Sequence, residues 1–479
     1  MWSGPDKGRR VYKLTVSAFS AYSLRGQSNS NMALDPRALG GKSGHNFANW
    51  AKTYTCQPEA YFEPKTTDEM REILSCAQQR GKKVKVVGCG HSPSDLACTT
   101  DYMICLRHYN RLLKVDKERS QVKVEGGMLV RDLNDSVLNP NGLALSVLGS
   151  ISDISIAGTI STGTHGTGER YGTLSSYIVE LELLTASGEI LEISADKNPE
   201  LLPAVRCSLG CLGIILNVTI QCEPAFRLHQ KTYPSKLNDI LENLQVHVSA
   251  SDHFRFLWFP HTEDVVVSHV NRTSKDICNK SSWFWDYGIG YYLLEFCLWI
   301  STFFPRIVPT INRLFFKHLH SQVREKVDRS DVIFNFECLF KQYVMEWAIP
   351  RHATAWVLKE LKAWIENVNY PAHLPIEVRF VQQDDIYLSP AYGQESCYIN
   401  IIMYRPYGKL VPTDKYWDAF ENIVNKVGGR PHWAKDHKVG PQRFTQLYPH
   451  WNTFCQIRKR LDPNGMFLNN YLERVFGTA

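Results

Sequence analysis

The 479-residue chain has no low-complexity tract, no internal repeat and no long block of one charge, which argues against disorder, a solenoid and a polyelectrolyte tail. Basic residues exceed acidic ones by only six, and no long block of Lys and Arg appears beyond short pieces such as Gly81-Lys82-Lys83, so nucleic acid is not an expected partner. Thirteen cysteines occur without paired C-x-x-C knuckles or the regular spacing of a stapled secreted domain, and mostly reduced thiols follow. No Gly-x-x-x-x-Gly-Lys-Ser/Thr loop and no His-Glu-x-x-His helix is present. The nearest approach to a dinucleotide fingerprint, Gly88-x-Gly90-x-x, is completed by Pro93, so the Rossmann reading fails. His432 with His437 offers half a metal site with no third ligand, and no metal is expected.

What is present is an α+β pattern that changes character along the chain. Residues 1–45 read as an N-terminal extension, expected to be poorly ordered, whose apolar stretch Val11–Tyr22 is too polar for a signal-peptide core. In residues 46–224, Thr67 or Asp68 is placed to cap a helix carrying Met70, Ile73, Leu74 and Ala77 and ending near Gln79. A β-branched strand over Lys83–Val87 runs into Gly88-Cys89-Gly90-His91-Ser92-Pro93-Ser94-Asp95. Strands at Gln121–Glu125, Tyr177–Thr185, Glu189–Ile193 and Gly213–Cys222 surround a second loop, Gly158 to Gly168, containing Gly163, Thr164 and His165. Loops without bulky side chains let backbone N–H groups approach a phosphate, and two of them in one domain suggest a pyrophosphate. Residues 225–425 are richer in aromatics and read as a second lobe, and 426–479 as a segment packing back on an earlier one. Within the second lobe, Tyr287–Phe304 is an apolar run interrupted only by Glu295, preceded by Trp283 and Trp285; the span 283–305 fits a membrane crossing or an interface-lying helix equally well.

The phrase Val87 to Asp95 resembles the flavin-attachment loop of the aldonolactone oxidases, in the vanillyl-alcohol-oxidase class of FAD enzymes. The loop Gly158–Gly168 resembles that class's pyrophosphate loop. The resemblance, which is to the animal members of the family, continues through Asn335–Lys341, Trp347–Arg351, Tyr398–Tyr407, Gly429–Lys435 and Leu461–Phe467 and covers about Asn46 to Phe476. It implies a two-part FAD-binding domain with an α+β cap, and a flavin bonded through its 8α methyl to His91, with Gly88, Gly90, Ser92, Gly149, Gly158, Gly163, Thr164, His165, Gly168 and His432 around the cofactor. Cys89 departs from the commoner glycine. In Pro375–Phe380, Glu377 and Arg379 fall two apart and so share a strand face. For a generic chain that face would be solvated or an ion pair; the resemblance makes Glu377 the group that orients or deprotonates a sugar hydroxyl, Arg379 the stabiliser of the oxyanion, and Lys435 a cation at the flavin's pyrimidine edge.

The activity implied is oxidation of L-gulono-1,4-lactone by O₂ to the 2-keto lactone that becomes L-ascorbate, with H₂O₂ as second product. D-arabinono-1,4-lactone oxidation, or an L-galactono-1,4-lactone dehydrogenase activity, is the alternative within the family; a non-catalytic flavin-binding membrane protein is the alternative outside it. Gly149 falls where the plant-type dehydrogenase carries Ala, which favours O₂. The resemblance also implies association with the endoplasmic reticulum (microsomal) membrane.

Overall fold

The computed structural model describes residues 35–278, 283–335 and 340–477; most of the N-terminal extension and part of the Asn335–Lys341 motif lie outside these. From Asp35 the chain is built into the first lobe rather than trailing from it. Lys42 exchanges backbone hydrogen bonds with Tyr61 and pairs with Glu63, while Gly41 sits so close to Pro36 and Phe62 that a Cβ would collide with both.

Among the described residues the first lobe has two larger sheets, beside the two-stranded pairs Phe47–Ala48 with Thr55–Cys56 and Leu143–Ala144 with Glu223–Pro224. A small parallel sheet orders Ala60–Phe62, Tyr102–Cys105 and Val84–Val87. Its crossover helix, Thr67–Gln79, buries Met70, Ile73, Leu74, Cys76 and Ala77 along one stripe. Thr66, one residue earlier than the sequence pattern suggests, is its cap, because its hydroxyl accepts from Glu69 N–H while the Glu69 carboxylate reaches back to the Thr66 amide. The second sheet is antiparallel, ordered Ile190–Ser194, Ile178–Leu184, Ile214–Gln221, Gln121–Glu125, Leu112–Asp116.

The second lobe is an eight-stranded antiparallel sheet ordered Arg324–Arg329, Arg227–Lys236, Asp264–Thr273, His253–Trp258, Ile376–Val381, Ser396–Tyr404, Gln342–Pro350, Arg430–Pro431. Its registers set Leu257, Glu377, Asn400 and Glu346 in one row across four strands, and Arg255, Arg379, Tyr398 and Ala348 in another. The C-terminal segment supplies the last strand and then returns to the first lobe. There Val84 N–H donates to Met466 O, Lys83 pairs with Glu473, and the Asn469 amide donates to the carbonyls of Leu96 and Cys98.

The aromatic run forms wide π-type turns over Phe284–Leu293 that continue as the helix Leu294–Ser301. Together with Val308–Leu319 it packs Leu294, Leu298, Ile311, Phe315 and Phe316 onto Phe259, Val266, Val344, Ile402 and Tyr404 of the large sheet. Among the described residues no helix is long and apolar enough to cross a membrane. Glu295, the charge that interrupts the run, accepts a hydrogen bond from Tyr407 N–H at 3.0 Å.

Candidate active site

A cleft of about 610 Å³ separates the glycine loops from one face of the large sheet, within the size range of small-molecule and cofactor sites. The loop wall is defined by side chains that are missing. Gly88 follows directly on the strand Val84–Val87, and a Cβ there would lie 2.0 Å from Ser155 Oγ, which accepts from Gly158 N–H. The two loops therefore meet at a point where only glycine fits. Gly90 has a left-handed φ of +67° and lies under Phe47; its carbonyl accepts from Trp50 N–H at 2.8 Å. His91 lines the cleft beside the stacked Trp50 ring, and its Nδ1 is buried with no hydrogen-bond partner. Burial lowers the His91 pKa, which favours the neutral imidazole.

Ser92, Gly149, Gly158, Thr164, His165 and His432 also line this space. Gly163 and Gly168 do not line it. A Cβ on Gly163 would touch Cys207 and Pro390, and Gly168 is at the seam between the lobes, where its N–H donates to Phe380 O at 2.6 Å. Both glycines shape the loop from behind.

The sheet wall is defined by buried charge. Glu377 and Arg379 project together into the cleft, and Arg255, from the neighbouring strand, donates to Glu377 at 3.1 Å. Arg379 Nε is 3.7 Å from the other Glu377 oxygen, Nη1 donates to Ser150 Oγ at 3.4 Å, and Nη2 donates to Glu346. Glu346 is 1 % exposed and is the centre of the arrangement, with His165 Nε2 at 3.3 Å and Lys435 Nζ at 3.8 Å. Burial alone would raise the Glu346 pKa, but Arg379, His165 and Lys435 more than offset it and hold the carboxyl well below its usual range. Burial, reinforced by Arg379, lowers His165; burial takes His432 down to about 3. Both imidazoles are consequently neutral near pH 7. Asn400 Oδ1, in the row between the two glutamates, is buried and unpartnered.

His165, Glu346 and His432 bring donor atoms within 4.8 Å of one another. Arg379 and Lys435 flank that same carboxylate and oppose a divalent ion electrostatically. His437, the other histidine considered from sequence, instead bonds Tyr471 OH at 2.8 Å.

Glu346, Arg255 and Asn400 escape the sequence reading, as does Lys85, which lines the loop wall with its Nζ on Leu209 O at 3.3 Å and its pKa lowered by burial to about 8. Three share one signal, a lone charge inside an apolar strand, as in Met345-Glu346-Trp347, Phe254-Arg255-Phe256 and Val84-Lys85-Val86. Buried charges are rare unless paired or functional.

Two family models match the chain: an FAD-binding domain over residues 58–194, and D-arabinono-1,4-lactone oxidase over residues 218–475. The L-gulonolactone oxidase of Scyliorhinus torazame is 56 % identical over 437 residues, 91 % of this chain and 99 % of that protein. The L-gulonolactone oxidase of Bos taurus is 54 % identical with the same coverage. Among solved structures, a solvent-stable cholesterol oxidase superposes with a TM-score of 0.77 at 16 % identity, covering 90 % of this chain and 97 % of that one, and shares the fold. The orphaned His91 nitrogen and the glycine cradle at Gly88 and Gly90 fit an FAD.

Proposed function

The chain belongs to the aldonolactone oxidase family of FAD-dependent oxidoreductases, and from that premise we propose that it oxidises the C2 hydroxyl of L-gulono-1,4-lactone to the 2-keto lactone with O₂ as acceptor, yielding H₂O₂ in the last enzymatic step toward L-ascorbate. The observation that carries this reading is the juxtaposition of Glu377, Arg379, Glu346 and Lys435 on one sheet face with the His91 loop across a single cleft. FAD, when bound, accepts the hydride and passes electrons to O₂.

The protein's part is to bind, orient and manage a proton. Loss of hydride from a carbinol carbon requires the hydroxyl proton to leave, and an accessible carboxylate is one group that can guide it. Glu346 is unsuited, being enclosed by Arg379, His165 and Lys435 and held well below the usual carboxylate range. Glu377, with one oxygen on Arg255 and the other near Arg379, is the carboxylate available to the substrate. Arg379 is fixed at Nη2 by Glu346 and so presents a preorganised cation where negative charge develops. Asn400 Oδ1 is positioned to accept from a further hydroxyl of the lactone.

Covalent attachment of FAD through His91 belongs to the same proposal. Its support is the neutral, unpartnered Nδ1 at the cleft wall. Acid precipitation should carry the yellow flavin into the pellet, and intact FAD in the supernatant would refute the bond.

Membrane association, at the endoplasmic reticulum, is proposed by the monotopic route. Its support is an exposed apolar surface comprising Trp283, Phe284, Tyr292, Phe296, Phe303 and Phe304, continued by Tyr407 and Leu410, with Lys409 Nζ 3.9 Å above the Phe303 ring. Monomeric soluble proteins rarely present such a contiguous patch, and aromatic rings with a lysine at the margin suit the headgroup boundary. The protein should sediment with microsomes at high salt, and Trp283, Phe303 and Phe304 replaced by Ser should release it; wild type found in the soluble fraction would refute the anchor. Turnover of a panel of aldonolactones, with O₂ consumption and H₂O₂ both recorded, tests the activity. Faster turnover of D-arabinono-1,4-lactone, or turnover with a dye but not with O₂, would overturn it.

A further inference from the structure

We propose that Cys56 and Cys98 are a peroxide-oxidisable dithiol, forming a reversible disulfide that ties the N-terminal hairpin to the far end of the flavin loop. The hairpin pairs Phe47–Ala48 with Thr55–Cys56 and supports the near end of the loop: Phe47 lies against Gly90, Trp50 N–H donates to Gly90 O, and Asn49 donates to Ser92 O at 3.0 Å. Cys98 closes the far end of that loop, just after Leu96 and Ala97, both of which line the cleft.

Both half-buried thiols pack against the cluster of Tyr61, Met103 and Cys105, and the two sulfurs lie close enough to perturb each other's ionisation. The Thr99 N–H donates to the Cys56 sulfur at 3.4 Å. The interaction with Cys98 is the larger effect, the Thr99 N–H adds to it, and together they outweigh burial and lower the Cys56 pKa, which favours its thiolate. Cys89, within the loop itself, is exposed and serves as the internal reference for oxidation.

The oxidant is hydrogen peroxide, which turnover releases a short distance away, and in this respect the inference rests on the oxidase reading. The Cys56 thiolate attacks one peroxide oxygen, the O–O bond breaks, and the departing hydroxide takes a proton to become water, leaving Cys56 as the sulfenic acid. The Cys98 sulfur then attacks the Cys56 sulfur; the S–S bond forms, the S–O bond breaks, and a second water leaves carrying the Cys98 proton. Overall two thiols and one H₂O₂ become one disulfide and two waters.

The test uses the full-length, FAD-loaded enzyme. Hydrogen peroxide is added without lactone, the sample is acid-quenched and alkylated, and its cysteines are mapped by mass spectrometry. A Cys56–Cys98 cross-linked peptide should accumulate before Cys89 is oxidised, disappear on reduction with dithiothreitol, and be absent from Cys56→Ser. In Cys98→Ser, a dimedone adduct should appear on Cys56. Recovery of both cysteines alkylated after Cys89 has been oxidised, or no dimedone adduct in Cys98→Ser, would overturn the proposal. A second arm supplies L-gulono-1,4-lactone and O₂ with and without catalase, and the cross-link should form only without it. Formation with added peroxide but no peroxide produced in turnover would leave the dithiol standing and remove the oxidase reading instead.

Discussion

The two walls of the cleft are built on opposite principles. On the flavin side, Gly88, Gly90 and Gly158 make room by lacking side chains, and the cost of intrusion is steric: a methyl at Gly88 would fall 2.0 Å from Ser155 Oγ. On the sheet side nothing is left out. Arg255, Glu377, Arg379 and Glu346 are brought out of water together, and the cost of disturbance is electrostatic, because removal of one partner leaves another charge buried. A cofactor that is long and carries phosphates is matched by the first wall, and a small neutral sugar on which charge develops only during reaction is matched by the second.

The electrostatic wall should be the more sensitive to a single change. Glu346→Gln removes the closest counter-ion of a guanidinium that is fully buried and should lower unfolding free energy by about 3 kcal/mol, the low end of the usual cost because Glu377 remains near Arg379. Chemical denaturation at unchanged m-value measures it; wild-type stability would show that Glu346 is not the counter-ion described. On the steric wall, Gly88→Ala should cost about 1–3 kcal/mol, typical of overpacking, and lower the flavin content of purified protein. Full flavin occupancy with unchanged stability would contradict a cradle that admits only glycine.

Behind the sheet wall, burial also sets a pH dependence. His373 is buried, accepts from Tyr404 N–H at 3.0 Å, and has its pKa lowered by burial to about 4. Its unfolded value is near 6.5, so between these values the unfolded chain binds more protons than the native one. Stability therefore rises with pH across that window, and is lost as pH falls below about 6.5. His373→Gln should reduce the slope of unfolding free energy between pH 6 and 5 by up to about 1.4 kcal/mol per pH unit. An unchanged slope would mean that His373 is protonated in the native state. The smallest effect is expected at Gly149, where a Cβ would sit 3.0 Å from Thr164 Cγ2, a contact that a small shift can relieve. Gly149→Ala should slow reoxidation of the reduced flavin by O₂ while its reduction by lactone stays largely intact. Equal stopped-flow reoxidation rates would mean that Gly149 does not govern access of O₂ to the flavin.

The same contrast decides what was legible in the sequence. The steric wall is local: a strand feeding a glycine-rich loop can be read from a dozen consecutive residues, and Gly88, Gly90, His91 and Ser92 stand at the cleft. Gly163 and Gly168 carry the same local signal but face away from it, because a left-handed turn and a close approach to a cofactor both require glycine. The electrostatic wall is non-local. The spacing of two puts Glu377 and Arg379 on one strand face and only the family resemblance gives them a role, while Leu257, Glu377, Asn400 and Glu346 form a row only through the pairing of four strands far apart in sequence. Glu346 consequently reads as one charge in an apolar strand until the fold places Arg379, His165 and Lys435 around it. The aromatic run gave a local signal compatible with a span, and its wide turns and packing on the sheet replace that with a surface helix, Glu295 being satisfied by Tyr407.

The central claim is that the sheet wall stabilises charge that develops as the lactone is oxidised, and anaerobic stopped-flow reduction of the flavin by saturating L-gulono-1,4-lactone in Arg379→Ala tests it most directly. Loss of this preorganised cation should raise the reduction barrier by roughly 2.7–4 kcal/mol, a rate about 10²–10³-fold below wild type. Flavin reduction at the wild-type rate in that variant would contradict the assignment of the chemistry to this wall.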